Sequence, residues 1–105
     1  MKESDWKLFR KRVPGWRERY LEQQNRTLRS LLEQPDQTPT TIFWDVKEFA
    51  DAQARLLVDC FDGHSRSKMD EFLAMMIRYE IVGRTDLDEF SAELQARLGW
   101  LFEAD

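Results

Sequence analysis

A single cysteine, Cys60, rules out an internal disulfide and a cysteine-built zinc site. A single histidine, His64, leaves no paired ligand spacing of the kind structural zinc requires. Four glycines and three prolines are too few for a chain of strands joined by turns. With 34% charged residues, the apolar runs are only a few residues long, so none can span a bilayer. Also missing are a phosphate-cradling loop, a Gly-rich dinucleotide turn and a nucleophile elbow. No pair of carboxylates is set apart by an apolar neighbourhood, so no general acid and base can be named. The first thirteen residues are charged and mixed rather than leader-like, and a cytoplasmic location is the expectation. On this reading the chain is not an enzyme. It has no catalytic residues, no metal and no cofactor.

What is present suits a helical core. The 105 residues are 42% hydrophobic, enough to bury about two-thirds of the unfolded surface in one domain spanning 1–105. The expected fold is all-α, a compact bundle of four main helices plus a short N-terminal helix. That short helix covers about Ser4 to Arg12, capped by Ser4, with Trp6, Phe9 and Val13 inward. Pro14 should end or kink it, because proline has no N–H and clashes with the preceding turn. The second helix is predicted from Pro14 to Gln34, with Trp16, Tyr20, Leu28, Leu31 and Leu32 to one side. The third opens at Thr38-Pro39 and closes at Asp62-Gly63, with Ile42, Val46, Phe49, Gln53, Leu56, Leu57 and Cys60 inward. Ser65 or Ser67 should cap a fourth helix ending near Gly83, its stripe Met69, Phe72, Leu73, Met76 and Ile77. Thr85 should cap the last, whose stripe is Leu87, Phe90, Leu94, Leu98 and Leu101.

The net charge of −4 hides an uneven split. Residues 1–34 hold nine Lys/Arg and five Asp/Glu, while residues 35–105 hold seven and fifteen. Such a split can mark a basic contact surface on an acidic body, or two parts that attract one another within the fold.

Three constellations are candidates. Asp45, Glu48, Asp51, Asp59 and Asp62 form an acidic face on the third helix, able to steer the chain to a basic groove on a protein partner. Trp44 is the expected exposed anchor among four tryptophans, because Phe43 and Val46 serve the stripe beside it. The joint at 62–68 has a glycine turn followed by His64, Ser65, Arg66, Ser67 and Lys68. It could place phosphate-contacting types at the start of a reading helix. Asp70 and Glu71 follow at once, which opposes nucleic acid there. The basic N-terminal residues Lys7, Arg10, Lys11, Arg12, Arg17 and Arg19 interleave with Trp6 and Trp16 and are an alternative nucleic-acid surface. Cys60 and His64 stand four apart, but Gly63 should break the helix between them. A core cysteine and a turn-surface histidine are the expectation rather than a nucleophile.

The segments Trp16-Arg17-Glu18-Arg19-Tyr20-Leu21, Phe43-Trp44-Asp45, Asp62-Gly63-His64-Ser65-Arg66-Ser67-Lys68-Met69 and Leu87-Asp88-Glu89-Phe90-Ser91 resemble short uncharacterised proteins of bacterial mobile elements, a group with anti-CRISPR-like members. The resemblance covers most of the chain and includes no catalytic signature. It implies a small cytosolic accessory protein that antagonises host machinery. The leading functional expectation is a protein-interaction module, an inhibitor of a nucleic-acid-handling enzyme such as a CRISPR nuclease. The alternatives are a small nucleic-acid-binding regulator and a homo-oligomer subunit.

Overall fold

The structure is a computed structural model that describes residues 1–103, and every described element is helical. Helix α1 is Glu3–Leu32, α2 is Pro39–Phe61, α3 is Met69–Arg78, α4 is Arg84–Leu87 and α5 is Ala92–Leu98. Single 3₁₀ turns occupy Arg66–Lys68 and Gly99–Phe102. Among the described residues, no helix is long and apolar enough to cross a membrane.

The expected break at Pro14 does not occur. α1 runs unbroken through it, so the separate short N-terminal helix is absent and Lys2, not Ser4, precedes the first turn. The reason is one continuous stripe. Trp6, Phe9, Val13, Trp16 and Tyr20 are all buried, at spacings of three and four, on both sides of the proline. Burying each is worth about 1.5–3 kcal/mol, which together outweighs the roughly 3 kcal/mol cost of an interior proline. Pro14 itself faces solvent.

α2 begins as the sequence predicts. The Thr38 hydroxyl accepts from the Thr41 amide at 3.1 Å, and Pro39 fills the first position. It ends at Asp62 and Gly63, where Gly63 adopts φ +81°, a conformation that favours glycine. The joint differs from expectation. Neither the Ser65 nor the Ser67 hydroxyl caps α3; the chain makes a 3₁₀ turn first.

α3 stops at Arg78 rather than near Gly83. The Ile81 amide donates to Met76 O at 2.8 Å and the Glu80 amide to Ile77 O at 3.0 Å, a Schellman closure with Glu80 at φ +62°. Buried Ile81 and Met76 supply its apolar contact. The last predicted helix is two. Gly83 rather than Thr85 precedes α4, and the Asp86 carboxylate accepts the Gly83 amide at 2.8 Å. Ser91 then caps α5 through the Leu94 amide at 3.2 Å. The stripe Leu87, Phe90, Leu94 and Leu98 stays buried despite the break.

These elements form a base and a projection. Within α1 no residue beyond Tyr20 is fully buried, and within α2 none before Cys60. The core lies at the base, between the N-terminal half of α1, the C-terminal end of α2, and α3 to α5. The far halves of α1 and α2 continue as a two-helix arm, half-buried along Leu21, Leu28 and Leu31 facing Ile42, Val46 and Phe49. The molecule measures 52 × 27 × 18 Å, with a radius of gyration of 16.5 Å. A compact chain of this length has about 13 Å.

Part of the charge split is met inside the fold. Arg12 pairs with Glu89 at 2.7 Å, Arg19 with Asp86 at 2.7 Å, Lys2 with Glu93 at 3.5 Å and Glu3 with Arg66 at 2.8 Å. All four tie α1 or the residue before it to the C-terminal half. Buried Asp5 adds a fifth tie, accepting the Ser91 amide at 2.9 Å and the Ser91 hydroxyl at 2.6 Å.

Candidate interaction surface

The outward side of α2 is left unused by the core. At 3.6 residues per turn, Asp45, Glu48, Asp51 and Asp59 fall within about a third of the circumference. Asp62 stands just past the last turn. Glu48, Asp51, Asp59 and Asp62 are exposed and Asp45 is half-buried. The arc is less acidic than a list of its carboxylates suggests. Arg55 lies inside it, and Lys47 at its edge holds Asp51 at 2.7 Å. The Lys47 ammonium holds the Asp51 carboxyl below its ordinary range.

Trp44 lies in the same arc and is 57% exposed. Phe43, expected to serve the inner stripe, is instead 61% exposed and meets Trp44 edge to face at 5.2 Å. Trp100 is a second exposed tryptophan, beside a cleft of about 490 Å³ between the end of α3 and the final 3₁₀ turn. Trp6 and Trp16 are buried.

Sequence reasoning overlooked a second apolar stripe on α2. Phe43, Ala50, Ala54 and Val58 are exposed along one line, with Leu57 half-buried at its edge. The signal was present as apolar residues outside the inner stripe at helical spacing. It was masked because Lys47 interrupts the line and because two of its members are alanines.

At the joint, His64 and Arg66 make contacts within the fold, and Arg66, Ser67 and Lys68 are exposed. His64 is half-buried, not on the turn surface. Its Nε2–H donates to Cys60 O at 2.7 Å, which fixes the tautomer, and its ring packs edge-on against Phe9 and Phe72 at 4.9 and 4.5 Å. Arg66 makes a two-pronged pair with Glu3 and lies 5.7 Å from the Trp6 ring centre. Ser65 is half-buried and within 3.4 Å of Ser67; Ser67 and Lys68 are exposed. The first residues after the glycine turn form a 3₁₀ turn that leads directly into α3 at Met69.

Cys60 is completely buried, and burial, reinforced by the Asp59 charge, pushes its thiol up to about 11. A protonated thiol is neither nucleophile nor ligand at neutral pH. The His64 contact is to the Cys60 carbonyl, not the sulfur. Among the described residues, no group of three or more His, Cys, Asp or Glu is placed to hold a metal ion.

On α1, Lys7, Arg10 and Lys11 are exposed and Arg17 half-buried; Lys7 and Lys11 lie opposite the core stripe, whereas Arg10 and Arg17 flank it, Arg10 at 6.0 Å from the Trp6 ring centre. Unlike Arg12 and Arg19, none of the four has an acidic partner within 4 Å among the described residues. No protein-family model matches the chain, and no curated protein or solved structure is significantly similar to it.

Proposed function

We propose that the chain is a non-enzymatic protein-interaction module, a helical base that holds out the α1–α2 arm and docks through the outward side of α2. The observation that carries the reading is the exposed Phe43–Trp44 pair beside the carboxylates of the acidic arc. Aromatic anchors next to charge are what dominate protein interfaces energetically and steer their approach. The partner that fits is a protein with a basic groove flanked by an apolar slot, such as a nucleic-acid-handling enzyme. Under the resemblance to mobile-element proteins, that partner is a host nuclease and the activity is inhibition.

A second reading is favoured by a separate observation. The unpaired stripe Lys7, Arg10, Lys11 and Arg17 on α1 suits contact with phosphates better than the joint does. In that reading the chain is a nucleic-acid-binding regulator working from α1.

Affinity capture from source cells, with and without nuclease, separates the two. The module reading expects a stoichiometric protein partner that survives nuclease and is lost with Trp44→Ala. Charge reversal at Asp45 and Glu48 should slow its association, and more so at low salt. Protein partners that vanish with nuclease, and return of nucleic acid that depends on Arg10 and Arg17, would transfer the function to α1.

A further inference from the structure

The cleft beside Trp100 carries charges of both signs that do not meet. Arg78, Glu80 and Arg84 line it together with Trp100, Leu101 and Phe102, around a volume of about 490 Å³. Small-molecule sites span roughly 300–1,000 Å³. Among the described residues neither arginine has an acidic partner within 4 Å, and Glu80 has no basic one. Both arginines stay unpaired although residues 35–105 hold fifteen Asp/Glu against seven Lys/Arg. Opposite charges that share a cleft without pairing fit a ligand that brings both an anion and hydrogen-bond donors.

The aromatic groups offer a surface for a planar ring. The Trp100 Nε1–H donates to Arg97 O at 2.9 Å, which pins the indole. The side chain is 59% exposed, and no other ring or cation of the described residues stacks on it. The Arg84 guanidinium lies over Phe102, 5.2 Å from its ring centre. That contact orients the guanidinium fork and leaves its N–H groups available to a phosphate.

Glu80 stands where its turn has no need of a glutamate. At φ +62° it holds the left-handed position that closes α3, which glycine or asparagine adopts at less cost. Its amide serves the turn by donating to Ile77 O, whereas its side chain is exposed and lines the cleft. A carboxylate kept at a strained position beside two cations is accounted for by a ligand that donates to it.

We infer that this cleft binds a ribonucleotide, with the base on Trp100, the phosphate on Arg78 and Arg84, and the ribose hydroxyls donating to Glu80. The phosphate supplies the anion, the base the planar ring and the ribose the donors that an acceptor-only carboxylate requires. The same chemistry occurs in a free nucleotide and at the end of an RNA strand. The site is built from the end of α3, the start of α4 and the final 3₁₀ turn, so it does not rest on docking through α2.

The test is isothermal titration of the full chain with adenosine monophosphate, alongside adenosine, inorganic phosphate, L-tryptophan and a phosphorylated oligoadenylate. The expected binding is sub-millimolar and about tenfold tighter than for adenosine or phosphate alone, each of which makes only part of the contacts. A preference for the mononucleotide assigns a free ligand, and a preference for the oligoadenylate assigns a strand end. Arg78→Gln, Arg84→Gln and Trp100→Ala change exposed side chains and should leave helicity intact by circular dichroism. Each should weaken the mononucleotide about fivefold. Glu80→Gly should raise the melting temperature by relieving the left-handed strain, and yet weaken the mononucleotide about fivefold. Absence of saturable binding up to about 10 mM, far weaker than a ligand site of this kind requires, would overturn the inference. So would phosphate or tryptophan binding as tightly as the nucleotide, or an affinity indifferent to Arg84→Gln, Trp100→Ala or Glu80→Gly.

Discussion

Asp5 shows how one residue ties the ends of this chain together. Its carboxylate is buried and takes both hydrogen-bond donors of Ser91, while the Ser91 oxygen caps α5. Asp5→Ala would strand a buried amide and weaken that cap. Thermal or denaturant unfolding should show a loss of about 2–3 kcal/mol; a loss under 1 kcal/mol would mean solvent satisfies Ser91 instead. Cys60 is the other informative residue. Its thiol should react with disulfide reagents at pH 8 only at the rate of opening, and fully once denaturant is added. The pH dependence has a definite sign. The folded thiol titrates near 11, above the ordinary value of 9.0. Its contribution is therefore whole below pH 9 and declines as pH rises from 9 towards 11. Cys60→Ser should flatten that decline in an alkaline stability profile, though its hydroxyl lowers stability at every pH.

At the scale of elements, hydrophobic spacing was legible and interruptions were not. The stripe of α1 was readable in two pieces, and joining them required knowing that the pieces share one core. Local chemistry at Pro14 argues for a break, and five buried side chains override it. Pro14→Ala should then stabilise the protein by about 1–3 kcal/mol while leaving the fold unchanged, read as a rise in the midpoint of urea unfolding. Two helices meeting at the proline would gain little from that change. The opposite error occurred at the C-terminus, where Leu87 to Leu101 read as one helix. Asp86 and Ser91 each build a helix start there, and those starts depend on Arg19 and Asp5, residues far off in sequence. Thr38, Pro39 and Gly63 were legible because their roles need only neighbours. At the candidate surface, Trp44 and the carboxylates could be read by elimination. The Phe43–Val58 line could not, because an apolar residue on a helix is assigned inward until the packing is known. The pairing of Arg66 at the joint was not legible either, because its partner Glu3 is 63 positions away.

For the whole molecule, the basic N-terminal third and the acidic remainder are joined by ion pairs that acid should loosen. Burial pushes the Asp86 carboxyl up, but the Arg19 guanidinium and the Gly83 amide outweigh it and hold the group below its ordinary value. A depressed folded value means that the stabilisation is complete above the unfolded pKa, about 3.9. It is lost as pH falls through the folded one. Melting temperature should drop below pH 4, and Asp86→Asn should show a smaller drop from a lower starting point. An equal drop in both proteins would place the acid sensitivity elsewhere. Among the described residues no ion pair joins the two helices of the arm: the Tyr20 hydroxyl donates to Gln53 where the arm leaves the base, and beyond it half-buried apolar side chains line the two helices. That division of labour, a stapled base and an open arm, is the centre of the account. A photoreactive amino acid placed at position 44, with a second protein carrying it at position 10, tests it most directly. Both would be irradiated in lysate of the source cells and then treated with nuclease. The account predicts a nuclease-resistant protein adduct from position 44 and none from position 10. A nucleic-acid adduct from position 10, with position 44 giving none, would contradict it.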